Sequence, residues 1–494
     1  MEYLSTRDAA LRSSASEAIV MGLSRDGGLY TPVSFPALTQ DDLAALCAMS
    51  YPRRAVWVMK RFLDEFTEEE LSSYAERAYA VPGKFDDPDV APVVIRDGQT
   101  AVLELWHGPT CAFKDMALQM LPYLLSASLR KTGEEKTACI LVATSGDTGK
   151  AALEGFRDVE QTKILVFYPK DGVSQIQELQ MTTQEGANVG VEAVVGNFDD
   201  AQNGVKRIFS DEQIRAELAE RGFFLSSANS INWGRILPQV VYYISAYCDL
   251  LKAGRINPGQ KIHFCVPTGN FGDILAGYFA KRMGLPVEKL ICASNANNVL
   301  TDFLRTGVYD RNRPFYHTTS PSMDILISSN LERLLYLLCE SDEEVRGYMD
   351  SLTKTGRYEV TPELLQKLQT EFACGCADDA RAARAIRDQY AAGYLMDPHT
   401  AVGYAVLEDY RAETGDDTCT VVLSTANPYK FCSSVLDALG VTDQAAGTDV
   451  IPQMEAVTGV PAPAPLAGLK GRAVRFTESC EKLDMERVVL EFLR

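Results

Sequence analysis

The sequence predicts an open α/β protein with helical additions at both ends, and three observations predict it. From residue 138 onward, short apolar runs rich in β-branched residues alternate with helical stretches, the pattern of parallel strands joined by crossovers. Three of those runs end in small-residue turns, at residues 145–149, 269–273 and 424–426, where an open sheet places its ligand loops. Residues 1–97 and 325–393 lack the alternation and read as helical.

Taken in order, residues 101–105 form a strand that leads through His107-Gly108-Pro109-Thr110-Cys111-Ala112-Phe113-Lys114-Asp115 into a helix over 115–130. Residues 138–143 are a buried strand ending in Thr144-Ser145-Gly146-Asp147-Thr148-Gly149, and a helix starts at 148. A strand at 164–168, a helix at 175–185, a strand at 191–195 and a polar helical stretch at 199–221 complete a small unit. Residues 236–251 form an apolar helix with Pro238 tolerated in its first turn. The strand at 262–266 ends in Pro267-Thr268-Gly269-Asn270-Phe271-Gly272-Asp273, followed by a helix at 274–283 and a strand at 290–293. A last buried strand at 420–423 ends in Ser424-Thr425-Ala426; beyond it lie an extended proline connector at 461–465 and an amphipathic helix at 477–493. The expected division is an N-terminal helical domain (1–97), a large α/β domain (98–137 and 225–494, with a helical insertion at about 325–393) and a small mobile α/β subdomain (138–224).

Composition narrows the function. A formal charge of −19 over 494 residues argues against nucleic acid as a partner, because a phosphate backbone needs clustered Lys and Arg. The twelve cysteines are scattered, with Cys374 and Cys376 the only close pair, and four histidines leave little for a metal site. The first twenty residues lack a signal-like apolar core, and no apolar run approaches the roughly eighteen residues of a membrane span. A cytoplasmic, soluble protein is expected.

Glycine lets a backbone approach an anion, and the helix that follows offers free N–H groups and the positive end of its dipole. Any one of the three turns alone also reads as a plain strand-to-helix turn. Residues 146–150 imitate the end of a nucleotide-binding P-loop, but Thr144 stands where its first glycine belongs and Ala151 where Ser or Thr belongs. Neither turn has the three-glycine dinucleotide spacing. Lys114, beside Ala112 and Phe113, stands near apolar surface where desolvation lowers an amine's pKa and makes it a usable nucleophile; a merely solvated lysine is the alternative. One placed lysine upstream of two anion-cradling turns is what a pyridoxal phosphate enzyme requires.

These segments resemble threonine synthases, which are fold type II pyridoxal phosphate enzymes of the tryptophan synthase β-like fold with the site between two open α/β domains. The likeness runs from Tyr3–Arg7 and Asp26-Gly27-Gly28-Leu29-Tyr30, through the Lys114 motif, the 143–149 loop, Ser227-Ala228-Asn229-Ser230-Ile231-Asn232 and the 269–273 loop, to Ser424-Thr425-Ala426, and it covers roughly residues 1–440. The resemblance implies that Lys114 holds the cofactor as a Schiff base and moves protons. It implies that Gly269, Asn270, Phe271, Gly272 and Asp273 form the phosphate cup, the Asp273 carboxylate orienting the loop, and that Thr425 faces the pyridine nitrogen. Ser145, Asp147 and Thr148 would lie along the substrate carboxylate. Asn229, Asn232 and Arg235 would lie near the substrate phosphate or stabilise the loop, with Lys170 and Lys206 as looser candidates. Asn427, where many members carry histidine, and Lys150, where alanine is common, depart from the pattern.

The implied reaction converts O-phospho-L-homoserine and water into L-threonine and phosphate, by a monomer or homodimer without nucleic acid or membrane partners. A related phospho-lyase, a serine or threonine dehydratase, and a non-catalytic metabolite-binding protein are the competing readings.

Overall fold

The structure is a computed structural model that describes residues 1–494 apart from the Asp199 side chain. Two parallel sheets organise it. The larger has six strands in the order Phe372–Cys376, Val287–Ser294, Ile262–Pro267, Thr420–Ser424, Thr100–Glu104 and Val93–Ile95, all parallel except the last pairing. Its central strands Ile262–Pro267 and Thr420–Ser424 are buried along their whole length, so they read as unbroken apolar runs rather than alternating ones. The smaller sheet orders Ser479–Glu481, Val189–Val195, Thr162–Pro169, Thr137–Ala143 and Phe223–Ser226, all parallel.

The helix Trp233–Lys252 is buried on nearly every side. It starts three residues earlier than the apolar pattern suggested, because the Asn232 side chain caps it, accepting from the Gly234 N–H at 2.9 Å. Pro238 therefore lies inside the helix, not in its first turn. The expected single helix over 115–130 is two, Asp115–Leu118 and Leu121–Thr132, since Pro122 has no N–H for a Leu118 carbonyl. Asp211 divides the polar stretch into Phe198–Ser210 and Glu212–Glu220 by accepting from the Gln213 and Ile214 N–H groups.

The additions differ from expectation in three places. Residues 1–97 hold an antiparallel three-stranded sheet, Arg12–Ser13, Tyr3–Ser5 and Tyr30–Pro32, beside their helices. The segment 325–393 contributes Phe372–Cys376 as an edge strand of the larger sheet. The C-terminal segment belongs to the smaller sheet: Ser479–Glu481 pairs with Val189–Val195, and Met485–Phe492 follows. Met485, Val489 and Leu493 share a buried cluster with Cys139, Leu141 and Leu165, so burial of that stripe draws the chain end across. No helix among the described residues is long and apolar enough to cross a membrane.

Candidate active site

The carboxyl ends of strands from both sheets converge on one cavity of about 1030 Å³. Thr137–Ala143 delivers Ser145 and Thr148 to it, Ile262–Pro267 delivers residues 269–273, and Thr420–Ser424 delivers Thr425. Lys114 reaches it from the loop after Thr100–Glu104.

That loop is built to hold Lys114 still. Asp115, fully buried, accepts from the Thr110 N–H at 2.8 Å and the Thr110 hydroxyl at 2.7 Å. Phe113 donates its N–H to the Thr425 carbonyl at 2.8 Å, and Ala112 bridges Ala426. Lys114 Nζ then lies 3.5 Å from the Ser322 hydroxyl, 3.9 Å from Asp147 Oδ2 and 4.8 Å from the Phe113 ring centre. Burial pushes the amine down to about 8 against the pull of Asp147, with Arg235 and Lys430 adding to the fall. At that value a neutral amine is available near neutral pH.

Two turns with free backbone donors belong to the same cavity. Among the described residues no protein acceptor meets the N–H groups of Gly269, Asn270, Phe271, Gly272 or Asp273. Phe271 adopts a left-handed φ of 62°, and the helix Gly272–Met283 has no side-chain cap. The turn is fixed from behind: the Gly269 carbonyl accepts from Ser328 at 2.7 Å and the Asn270 carbonyl from the Asn330 N–H at 3.0 Å. Asp273 points its Oδ1 at the Tyr242 and Tyr243 hydroxyls, at 2.5 and 2.8 Å, while Oδ2 is buried without a partner. Burial pushes this carboxyl up to about 6, against those hydrogen bonds.

The second set is the turn before helix Asp147–Phe156, where the N–H groups of Ser145, Asp147 and Thr148 also meet no protein acceptor among the described residues. Thr144 Oγ1 ties this turn by accepting from the Gly146 and Gly149 N–H groups, both at 2.9 Å. Gly146 has a φ of 128°, and a Cβ there would meet the Gln177 side chain at 2.4 Å.

Not every expected residue meets in the cavity. Asn229, Arg235 and Lys206 line it with Ser145 and Thr148, whereas Asp147, Asn232 and Lys170 are absent from its lining. Asp147 turns inward: its Oδ1 takes the Gln177 amide at 2.8 Å and Lys430 at 3.1 Å. Burial opposes that charge, yet Lys430, then Lys114 and Gln177, hold the carboxyl well below its ordinary range. Asn232 is committed to structure, since its amide also donates to the Ile19 and Ser227 carbonyls at 2.9 and 3.2 Å. Arg235 is buried with no carboxylate partner; it donates to the Ala228 carbonyl, its Nε has no acceptor, and burial pushes the guanidinium down to about 10. A buried cation in this state favours an anionic ligand.

Three residues went unread. Ser322 stands beside Lys114, and its N–H donates to His399 Nε2 at 3.1 Å while His399 Nδ1 faces Asp397 at 2.8 Å. Lys430 is fully buried. The signal for Lys430 was a lone lysine inside the apolar run 428–432; His399 was one of only four histidines, two residues after the helix-capping Asp397. Ser322 carried no signal.

Donor turns, a depressed lysine and an orphaned guanidinium in one crevice fit an aldehyde cofactor bearing a phosphate. The chain is accordingly a fold type II pyridoxal-phosphate enzyme, and residues 101–425 match the family model described as Pyridoxal-phosphate dependent enzyme. Models described as Threonine synthase N terminus and Threonine synthase, C-terminal match residues 2–79 and 400–488. The chain belongs to the threonine synthase family. It is 40% identical over 441 residues to threonine synthase-like 1 of Homo sapiens, covering 87% of this chain but 58% of that protein. Against the threonine synthase of Pseudomonas aeruginosa it is 39% identical over 438 residues, 88% of this chain and 90% of that one. The crystal structure of pyridoxal phosphate-bound threonine synthase from Brucella melitensis superposes with a TM-score of 0.87 at 39% identity, over 100% of both chains.

Proposed function

We propose that this chain converts O-phospho-L-homoserine and water into L-threonine and inorganic phosphate. The observation that carries the reading is the Lys114 amine, set between two turns of free backbone N–H groups in a member of the threonine synthase family. Lys114 Nζ would hold the cofactor, the N–H groups of Gly269, Asn270, Phe271, Gly272 and Asp273 would take its phosphate, and the Thr425 hydroxyl would serve its pyridine nitrogen. Asp273 serves through its two tyrosine partners, which keep the cup's first helical turn in place. Bound there, pyridoxal phosphate supplies a sink for the negative charge left on substrate carbons.

The remaining steps are assigned to the protein's own groups. Ser145, Thr148 and the free N–H groups of their turn hold the substrate carboxylate, and Arg235 with Asn229 holds the phosphate that leaves Cγ. Lys114 Nζ takes the Cα proton and then a Cβ proton, which lets phosphate leave Cγ; protons are returned to Cγ and Cα, and water places its hydroxyl on Cβ and passes its remaining proton to the released phosphate. An amine near 8 serves in both directions at neutral pH. The smaller sheet carries the Ser145–Thr148 turn, so its approach to the larger one closes the site and excludes water. The twelve free cysteines suit the reducing cytoplasm as the place of action.

The test is product stoichiometry. Purified protein loaded with cofactor and given O-phospho-L-homoserine should release threonine and phosphate in equal amounts. Phosphate accompanied by 2-oxobutanoate, without threonine, would overturn the proposal and make the chain a phospho-lyase.

A further inference from the structure

Lys430 is a lysine with no exposed surface, next to a cavity it does not line. A buried ammonium is costly unless its three protons find acceptors. Here two hydrogen bonds and an ion pair meet it: it donates to Gln180 Oε1 at 2.7 Å and the Thr110 carbonyl at 2.9 Å, and it pairs with Asp147 Oδ1 at 3.1 Å. Those acceptors come from three segments that meet only in space: the turn after Thr137–Ala143, the helix Gln175–Thr182, and the loop that carries Lys114. The contact is reinforced on both sides. Gln180 also donates to the Thr110 carbonyl at 3.3 Å, and the Ser174 hydroxyl donates to the Lys430 carbonyl at 3.2 Å.

The two oxygens of Asp147 are thereby divided. Oδ1 receives Lys430 and Gln177, and Oδ2 is the one 3.9 Å from Lys114 Nζ. We propose that Lys430 is a positioning residue for Lys114: by pairing with one oxygen of Asp147 it fixes that carboxylate beside the cavity lysine while its own positive charge offsets the carboxylate's. This deepens the reading of Lys114 as the cofactor lysine and rests on it. Without Lys430 the Asp147 charge would act on Lys114 unopposed, and Lys114 would stay protonated to higher pH and be a poorer proton acceptor. With Lys430 and without Asp147, two buried ammonium groups would face each other unshielded.

The groups that face Lys114 come from four elements: Asp147 from the helix Asp147–Phe156, Arg235 from Trp233–Lys252, Asp273 from Gly272–Met283, and Lys430 from the short helical turn Pro428–Phe431. His399, whose Nε2 accepts from the Ser322 N–H at 3.1 Å, also lies within reach of the Asp147 charge. Asp115 and Cys111 lie within the field of Lys430 from the Lys114 loop, and Lys150 from the helix behind it. Among these, Lys430 and Lys114 are the two ammonium groups paired with the Asp147 carboxylate.

The experiment measures the pH at which Lys114 becomes reactive, by competitive acetic anhydride labelling and peptide mass spectrometry of the full chain stripped of cofactor. Lys430→Gln should move that midpoint up by about one pH unit or more. Lys430→Met, which fills a similar volume without a charge, should move it likewise and stands in should the glutamine variant fail to fold. Lys430→Arg, which keeps the charge, should return the midpoint to within a few tenths of wild type. Gln180→Ala, which loosens the same contact and keeps both charges, should also leave it there. An unmoved midpoint in the folded neutral variants would overturn the proposal, as would a Gln180→Ala shift as large as that of Lys430→Gln. Because the readout needs no cofactor, its failure is separable from a failure of Lys114 to bind one.

Discussion

Gly269→Ala tests the phosphate cup by space alone. Gly269 is not among the positive-φ residues, so its backbone accepts an alanine. The added Cβ would stand 2.5 Å from the Ser322 carbonyl oxygen, where a carbon and a carbonyl oxygen settle at about 3.3 Å. One backbone must therefore move by roughly 0.8 Å, the difference of those two distances. Neither is free to do so: Ser322 is held by its N–H on His399 Nε2 at 3.1 Å, and Gly269 by the Ser328 hydroxyl on its carbonyl at 2.7 Å. Overpacking of this kind costs about 1–3 kcal/mol. Because the strain falls on the turn proposed to take the cofactor phosphate, most of it should appear as lost affinity, a weakening of about 5- to 150-fold. Stripped wild-type and variant proteins would be titrated with pyridoxal phosphate and followed by visible absorbance, with melting curves to show that both are folded. A dissociation constant within twofold of wild type would refute the argument that the cup lies at Gly269.

Three further outcomes are expected. With Lys114 as the proposed cofactor lysine, uptake by the stripped chain draws on its neutral amine, so the rate should rise about tenfold per pH unit below 8 and level off above it; a rate that climbs on to pH 10 would contradict the burial effect. Burial works against a charged His107, but hydrogen bonds to Asp86 and Glu104, at 2.7 and 2.9 Å, carry its imidazole up to about 9. The folded value is the raised one, so the stability it adds, about 2 kcal/mol once the exposure of Asp86 is discounted, is full below about pH 6.5 and lost as pH rises through 9. The melting-point advantage of wild type over His107→Asn should fade across that window, and a pH-independent difference would count against it. Asn232→Ala should lower stability by about 1–2 kcal/mol through loss of the helix cap, with the substrate KM within about twofold; a tenfold KM rise at unchanged melting temperature would return Asn232 to the substrate site.

Much of the site was legible because its chemistry is local. A strand that ends in Gly and small polar residues and turns straight into a helix must leave N–H groups free, and this holds for Ser145–Thr148 and Gly269–Asp273 alike. Lys114 was readable for the same reason, by its place between a strand and a helix start. What stayed hidden depends on distant partners. Ser322 looks like any loop serine until the fold brings it to Lys114, 208 positions away. Lys430 acquires its role only when three separate segments close on it. For Asn232 the sequence left a substrate contact and loop-stabilising hydrogen bonds both open; its amide and carbonyl are engaged in the latter, as the cap an Asn before an apolar helix supplies. The C-terminal strand Ser479–Glu481 is three residues long and pairs with a strand almost 300 residues earlier, which no local pattern reveals.

The most direct test of the whole account is the visible absorbance of the Lys114→Ala variant after addition of pyridoxal phosphate, beside that of wild type. Lys114 is an N-terminal flanking residue of a short helix with its side chain in the cavity, so alanine there should leave the melting temperature near wild type. The account predicts a folded protein with no cofactor band and no threonine formed from O-phospho-L-homoserine. A variant that keeps the wild-type band would contradict it, because the cofactor would then be held by another lysine.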